Sequence, residues 1–199
     1  NNRIAATPTG FKVDTASSSH NNTNGYIYIT IRRPDGYVGK PPELGNEVFS
    51  PVYGSANAPM FKSNNHVVDF TLQKNSNFAT QATDWNSTIR LTSGRRIKPN
   101  TTNAEDGNTY QVFDYQSGAS SYTLGSGIRF GWLWKRSAGL DVVTYTGNNV
   151  QPGVIPHSLG KVPEMMWLMN RAGGDREVYH KGLNEGSSPE TWSIKINES

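Results

Sequence analysis

Histidine is the residue type best suited to proton transfer or metal binding, and this sequence has four: His20, His66, His157 and His180. None lies in an His-Glu-x-x-His pattern or at another spacing typical of zinc ligands, so we predict no metal site and no cofactor. His157 follows Pro156 in a turn-like stretch, where we expect the imidazole to hydrogen-bond the backbone and fix a hairpin. We expect a similar structural role for His180 at the end of a strand.

Signatures of nucleophilic and phosphate-binding chemistry are missing as well. Ser126 lies in Gly125-Ser-Gly127, which lacks the second spacer and the following helix of a nucleophile elbow. No Gly-x-x-x-x-Gly-Lys loop occurs. A glycosidase needs two carboxylates about 5 to 10 Å apart, and no pair stands out among Glu43, Glu47, Asp69, Asp84, Asp114 and Asp141. We therefore predict no catalytic residues and a non-enzymatic protein.

Tryptophans are better candidates for binding. Trp132 and Trp134 share a strand face with Phe130, an arrangement that predicts burial in a core. Trp85 lies in a polar, turn-rich stretch, Thr83-Asp-Trp-Asn-Ser87, and is predicted to be exposed. Because an exposed indole can stack on a sugar ring, Trp85 is the candidate glycan-binding residue.

Composition and charge exclude several classes of protein. The 199 residues carry 19 Lys+Arg against 16 Asp+Glu, a net charge of +3, and no cysteine. This weak, scattered charge argues against nucleic-acid binding, and the missing thiols exclude disulfides and iron–sulfur clusters. No apolar run approaches the roughly 20 residues of a membrane-spanning helix, so we predict no membrane insertion. An aromatic content of 11% argues against disorder, while 20 Gly and 11 Pro indicate short elements joined by turns.

Period-two alternation dominates the sequence and predicts an all-β fold with almost no helix. Gly25–Arg33 places Ile27, Ile29 and Ile31 on one face, and Ile128–Trp134 groups its aromatic residues in the same way. We expect both trios to be buried. The shorter predicted strands, each flanked by turn residues, are Gly10–Val13, Glu47–Tyr53, Val67–Leu72, Ile89–Thr92, Tyr110–Tyr115, Asp141–Thr146, Glu164–Met169, Arg176–His180 and Thr191–Ile196.

An internal repeat of about 95 to 103 residues organises these strands. Ile29-Thr-Ile-Arg-Arg33 matches Trp132-Leu-Trp-Lys-Arg136 at an offset of 103 residues. Three matches follow at offsets of 94, 95 and 97: Glu47-Val-Phe-Ser with Asp141-Val-Val-Thr, Val68-Asp-Phe with Pro163-Glu-Met, and Ile97-Lys-Pro-Asn100 with Ile194-Lys-Ile-Asn197. Matches in one order at nearly constant offset predict tandem antiparallel β-sandwich-like repeats.

The phase of the repeat divides the chain into three parts. Residues 34–136 are predicted to form a complete repeat, residues 1–33 the closing part of one, and residues 137–199 the opening part of a further one. Because an incomplete sandwich exposes unpaired edges, we expect the last part to be completed. Three arrangements are open: the polypeptide continues in both directions, which the mid-repeat cut favours; residues 1–33 fold back, which is the second choice; or a neighbouring chain docks.

The last part of the chain also carries recognisable segments: Asp141-Val-Val-Thr-Tyr-Thr-Gly-Asn, Ile155-Pro-His-Ser-Leu-Gly-Lys-Val-Pro-Glu-Met-Met, Asn170-Arg171 and Val178-Tyr179-His180. Together with Gly127–Arg136 and Gly25–Pro34, which end in Trp-Lys-Arg and Ile-Arg-Arg, they resemble a repeated module of bacteriophage tail-fibre and related virion-appendage proteins, common in marine phages. The likeness is good over residues 123–183, fair over 10–53 and poor over 55–110, where the Ile-x-His-x-Leu-Gly-x-x-Pro turn is absent.

This resemblance implies a structural component of a virion appendage, made in the bacterial cytoplasm and serving host attachment as a spacer or adhesin. It implies that the chain assembles with copies of itself as a homotrimer. Other implied partners are tail or capsid proteins and a host-surface glycan. Two alternatives stay open: a carbohydrate-binding module that recognises a cell-surface polysaccharide, and a polysaccharide-degrading enzyme.

Overall fold

The computed structural model describes residues 4–7, 10–13, 42–75, 84–121, 129–147 and 154–198, and the strands in these ranges pair antiparallel throughout. Helical structure there is limited to short 3-10 turns, at Gly45–Glu47, Arg90–Thr92, Leu183–Gly186 and Pro189–Thr191. The predicted all-β class is therefore confirmed. The chain divides into two compact units, residues 1–33 and 34–199. The first contains a two-stranded pair, β1 (Ile4–Thr7) and β2 (Gly10–Val13).

The second unit is built around a five-stranded sheet. Its order is β3-β10-β5-β6-β7, where the strands are Phe49–Tyr53, Arg129–Trp134, Phe70–Asn75, Asn86–Ile89 and Arg96–Ile97. The strand β10 is the last of these in the sequence, yet it lies between β3 and β5 and pairs with both. A strand from late in the sequence therefore closes a sheet that earlier residues begin.

A smaller sheet covers one face of the five-stranded sheet. It consists of β4 (Phe61–Lys62), β9 (Gly118–Ser121) and β8 (Gln111–Val112), in that order. The core between the two sheets is a cluster of six buried side chains: Met60, Phe61, Val68, Phe113, Ala119 and Leu133. This is a two-layer sandwich with a small hydrophobic centre.

Leu133 and Gly131 define the buried face of β10, which corrects the prediction that its aromatic face is the core. Leu133 is fully buried, and a Cβ added to Gly131 would lie 3.2 Å from the Phe61 ring. The absence of a side chain at Gly131 lets the ring pack directly on the strand. Phe130, Trp132 and Trp134 lie on the opposite face and are partly buried. The trio Ile27, Ile29 and Ile31 lies outside the described residues.

Four polar side chains of the buried face hydrogen-bond each other in two pairs. Thr71 and Thr88 share one of 2.7 Å between their hydroxyls, and the Gln73 amide donates to the Gln111 amide oxygen. All four residues are buried. Each pair shares one hydrogen bond, while the Gln73 amide oxygen and the Gln111 amide nitrogen are buried without a hydrogen-bond partner. The interior thus combines a small apolar cluster with a polar layer.

A second three-stranded sheet follows near the carboxyl end of the chain. It contains β11 (Met165–Met169), β12 (Arg176–His180) and β13 (Ile194–Lys195), with β12 in the centre. Among the described residues, β11 pairs with β12 alone. One edge of β11 therefore has no strand beside it in the part of the chain that the structure describes.

Several predicted strand boundaries change in the structure. Gly10–Val13 and Arg176–His180 match, whereas Asp141–Thr146 contains no strand and only an isolated bridge, Ser137 to Leu140, precedes it. Ile89–Thr92 is the end of β6 followed by a 3-10 turn, because its backbone turns before pairing can continue. The predicted strand Gly25–Arg33 lies outside the described residues.

We expect Leu133→Ala to destabilise the protein by about 2 to 5 kcal/mol, because it removes buried methyl groups and leaves a cavity against Phe61. Leu44→Ala is the matched control, since Leu44 is 62% exposed, and it should change stability by less than about 0.5 kcal/mol. Urea unfolding of the two variants measures both values. Equally small effects of the two substitutions would contradict the burial of Leu133 in the core.

Candidate functional site

An aromatic surface covers the face of the five-stranded sheet that is turned away from the small sheet. The Trp134 ring lies 5.1 Å from Phe49 and 5.0 Å from Phe70, centroid to centroid. Trp132 lies 6.3 Å from Trp134, with the rings edge to face. Cross-strand pairing sets these contacts, because Phe49 and Phe70 are the register partners of Trp134 on its two sides.

Trp85 joins this aromatic surface instead of standing alone as an exposed platform. Its indole stacks on Trp132 at 5.1 Å with 27° between the planes, and meets Phe130 edge to face at 5.5 Å. The Lys74 ammonium lies 5.3 Å from the ring centroid. Trp85 is partly buried, which corrects the prediction of an exposed residue. Stacking on Trp132 occupies one face of the indole, and glycan binding by Trp85 stays a prediction.

A hydrogen-bonded clip of three polar side chains holds Trp85 in place. Asp84 accepts hydrogen bonds from the Lys98 ammonium at 2.8 Å and from the Asn100 amide at 3.1 Å. The Asn100 amide oxygen then accepts a hydrogen bond from the Trp85 backbone N–H at 3.0 Å. The hydrogen bond from Lys98 is the main reason that the pKa of Asp84 lies below its usual value.

The same clip recurs in the sheet near the carboxyl end. Asp175 accepts from the Lys195 ammonium at 2.6 Å and from the Asn197 amide at 3.4 Å. Asn197 accepts from the Arg176 backbone N–H at 2.6 Å. Lys195 also lowers the pKa of Asp175, as Lys98 does for Asp84. The second clip thus presents Arg176 where the first presents Trp85.

Arg176 uses this position to attach the last sheet to the preceding part of the unit. Its side chain is fully buried, and the guanidinium donates to the carbonyls of Lys98 at 3.4 Å, Asn170 at 2.8 Å and Asn103. Burial lowers the pKa of this guanidinium from its usual value. Five N–H donors suit a ring of carbonyl oxygens, so neutral acceptors satisfy the cation.

The two sheets also share their strand register. In the first, Leu72 lies opposite Ser87, which lies opposite Ile97. In the second, Trp167 lies opposite Val178, which lies opposite Ile194. The sequence offsets of 95 and 97 relate Leu72 to Trp167 and Ile97 to Ile194. Strands β11, β12 and β13 therefore occupy the positions of β5, β6 and β7.

An ion pair at the start of each sheet follows the same correspondence. The Arg90 backbone N–H donates to the Asp69 carbonyl at 2.9 Å, and the Arg90 guanidinium lies 3.5 Å from the Asp69 carboxylate. The Lys181 backbone N–H donates to the Glu164 carbonyl at 2.8 Å, and the Lys181 ammonium lies 2.5 Å from the Glu164 carboxylate. The two sheets therefore make the same kinds of backbone and side-chain contact at this point, with different residue types.

The described histidines have structural partners. The Nδ1 atoms of His157 and His180 accept the backbone N–H groups of Leu159 and Gly182, at 3.2 and 3.1 Å. Each histidine thus bonds backbone nearby, the type of contact expected for His157. His20 lies outside the described residues.

His66 is buried and hydrogen-bonded through both ring nitrogens. Nδ1 lies 3.1 Å from the Val67 carbonyl oxygen, so it carries the proton, and Nε2 accepts from the Ser50 hydroxyl at 3.0 Å. A serine beside an imidazole is the arrangement of a nucleophile and its base, but Ser50 and His66 are only 1% and 3% exposed. Burial lowers the pKa of His66 below its usual value.

Two of the candidate carboxylates, like Asp84, are occupied by structural contacts. Asp141 accepts from the Arg136 guanidinium at 2.7 Å and from the Ser158 backbone N–H at 2.7 Å. Burial alone would raise the pKa of Asp141, but these hydrogen bonds outweigh it and hold the pKa below the usual value. Asp69 accepts the Arg136 backbone N–H at 2.8 Å. A general acid needs a raised pKa, which neither Asp84 nor Asp141 has.

A shallow groove beside β3 was not predicted from the sequence. Its volume is about 650 Å³, and it is lined in part by Tyr53, Tyr115, Asn57, Lys62 and Gln116. Tyr53 is 77% exposed. In the sequence, Tyr53 ends a predicted strand and precedes Gly54. Many surface tyrosines have such neighbours, so this position by itself does not indicate a binding site.

Within the described ranges, no three His, Asp or Glu side chains converge on a position suited to a metal ion. The same residues include no helix with the length and hydropathy to cross a membrane. Comparison with protein families, curated proteins and solved structures finds no match to this chain.

We expect the protein to lose stability as the pH falls through the histidine range, because the folded state holds His66 neutral. The unfolded chain binds a proton near the ordinary pKa of 6.5, whereas the folded chain binds it only at lower pH. The contribution is therefore complete above about pH 6.5, decreases below it and levels off below the folded pKa. Urea unfolding from about pH 7.5 to about pH 5 measures this change.

His66→Gln should reduce this pH dependence, and His157→Gln, at an exposed position, should keep it. An NMR titration of the His66 ring in the wild-type protein reports its pKa directly, even where the glutamine variant does not fold. Stability that stays constant across this pH range would contradict a buried neutral imidazole.

Proposed function

We propose that this chain is a non-enzymatic structural component of a bacteriophage virion appendage, such as a tail fibre, that serves host attachment as a spacer or adhesin. The observation that carries the proposal is the duplication of one sheet with its register and its Asp–Lys–Asn clip. Tandem copies of a sheet, attached to each other by the buried Arg176, are typical of elongated repeat proteins. The resemblance of residues 123–183 to tail-fibre modules supplies the biological setting.

The chemistry of the described side chains supports a role without catalysis. Asp84 and Asp141 are held by cations, and His66 is buried against backbone and Ser50. A reaction needs a base, acid or nucleophile that can reach a substrate. These groups instead serve to stabilise the fold.

We expect the purified chain to form a homotrimer, because parallel association of identical chains gives a fibre component its rigidity and covers sheet edges. Light scattering coupled to gel filtration measures the mass at micromolar concentration. A stable monomer would contradict the fibre assignment.

Antibodies against the chain should also label an appendage on virions that carry its gene. Labelling of the capsid shell alone would contradict the appendage assignment.

The groove beside β3 supports a second candidate function, recognition of a cell-surface polysaccharide. Exposed Tyr53 with amide and ammonium groups nearby is a suitable surface for a sugar, because the ring stacks and the polar groups hydrogen-bond hydroxyls.

A glycan array with the full chain tests this function. We expect Tyr53→Ala to abolish any discrete signals, whereas Tyr145→Ala, which removes another exposed tyrosine, should leave them unchanged. Trp85→Ala tests the residue favoured by the sequence, and loss of signal in that variant alone would move the site to the aromatic surface. An array without signals would leave the spacer role in place and overturn the adhesin role.

A further inference from the structure

A groove lies on one face of the sheet formed by β11, β12 and β13. This face carries alternate residues of the two longer strands in two register pairs, Met166 with Tyr179 and Leu168 with Glu177. Val178 points to the opposite face and is 5% exposed, whereas Met166 and Leu168 are 41% and 43% exposed. The groove has a volume of about 360 Å³, which is enough for a small molecule.

Two aromatic rings line this groove, Tyr179 from β12 and Trp192 from the segment before β13. The 3-10 turn Pro189–Thr191 positions Trp192, whose backbone N–H donates to the Pro189 carbonyl at 3.1 Å. The Trp192 side chain is 56% exposed. Within the described ranges, neither ring stacks on another ring or lies against a cation. Both rings are therefore available to a ligand, unlike the indole of Trp85.

Two carboxylates, Glu177 and Glu190, supply the charge of the groove, and its lining contains no cationic side chain. In the part of the chain that the structure describes, neither carboxylate forms an ion pair. The register partner of Glu177 is Lys195, whose ammonium instead contacts Asp175 at 2.6 Å and Glu198 at 3.3 Å. The groove thus combines apolar walls with uncompensated negative charge.

The corresponding face of the five-stranded sheet has a different chemistry. Its residues at the equivalent register positions are small or neutral polar side chains, all buried: Thr71 with Thr88, and Gln73 with Asn86. The two sheets share their register, but the second carries large apolar, aromatic and acidic side chains at these positions. The groove therefore comes from the residue types of the second sheet and not from the architecture that the two sheets share.

Aromatic rings together with carboxylates are suited to a positively charged ligand. The quadrupole of a Trp or Tyr ring attracts a cation, and the carboxylates add direct attraction. A hydrated metal ion needs several converging oxygen ligands, and no group of three His, Asp or Glu side chains converges in the described ranges. Val162, Met166 and Leu168 instead provide contacts for alkyl groups. These features together favour a cation that carries its charge on alkylated nitrogen.

We propose that this groove binds a small, soluble organic cation with a quaternary or otherwise alkylated ammonium group. Its alkyl groups contact Trp192 and Met166, and its charge lies near Glu177 and Glu190. A free ammonium compound suits the groove better than a phospholipid headgroup, because the carboxylates repel the phosphate that accompanies such a headgroup. This site is separate from the groove beside β3 and does not depend on the virion assignment.

Calorimetric titration of the full chain with choline tests this proposal. The matched ligand is the neutral alcohol in which a carbon atom replaces the choline nitrogen, so that the two compounds share their shape and differ in charge. We expect choline to bind at least about tenfold more tightly, because the rings and carboxylates attract only the charged compound. Both titrations use the same sodium chloride concentration, which keeps the screening equal.

Three variants locate the site. Glu177→Gln removes one charge at nearly constant size and should weaken choline binding at least about fivefold, while binding of the neutral alcohol stays the same. Trp192→Ala should weaken both ligands, because the indole contacts their alkyl groups. Glu185→Gln is the matched control, since Glu185 is exposed and lies outside the groove, and it should bind choline as the wild-type protein does.

Equal affinity for choline and the neutral alcohol would overturn the cation as ligand, and no binding of either compound would overturn the site. Unchanged choline binding in Glu177→Gln would overturn the role of its carboxylate. Flotation with phosphatidylcholine vesicles tests the lipid source. Binding to vesicles without binding of free choline would overturn the soluble cation as occupant. The glycan array and the light-scattering mass test the proposed function separately, so failure here leaves that proposal intact.

Discussion

The structure depends on one strand, Arg129–Trp134, being hydrogen-bonded along both of its edges. Pairing on two sides satisfies its backbone groups and joins strands that are far apart in the sequence. It also creates two faces with different contents, one with Leu133 against the core and one with the aromatic rings. The aromatic surface and the groove beside β3 are both positioned by this strand, the groove through the pairing of β10 with β3.

The division between faces follows from side-chain size as much as from polarity. On the core side, Gly131 has no side chain, so the Phe61 ring packs directly on β10. Threonine and glutamine side chains are buried in the same layer. The opposite side carries large aromatic rings, which contact each other and are partly exposed to solvent. Indoles gain much of their stabilisation from such contacts without complete burial.

Local pattern in the sequence was sufficient for the all-β class and for strands such as Gly10–Val13 and Arg176–His180. Alternation also grouped Phe130, Trp132 and Trp134 correctly on one side of β10. It could not decide which side is buried, because that depends on Phe61, a residue of another strand, meeting Gly131. Asp141–Thr146 has a strand-like pattern but no paired neighbour among the described residues. The groove at Tyr53 and the carbonyl contacts of Arg176 arise from tertiary proximity that no local spacing encodes.

The carbonyl contacts of Arg176 have a consequence for ionic conditions. An ion pair at the surface, such as Arg171 with Glu105, weakens as dissolved salt screens its charges. The Arg176 guanidinium is buried, and its partners on both sides of the connection are uncharged carbonyl oxygens. Mobile ions do not reach such a group and have no opposing charge to screen. The attachment between successive sheets should therefore be as stable in concentrated brine as in dilute buffer.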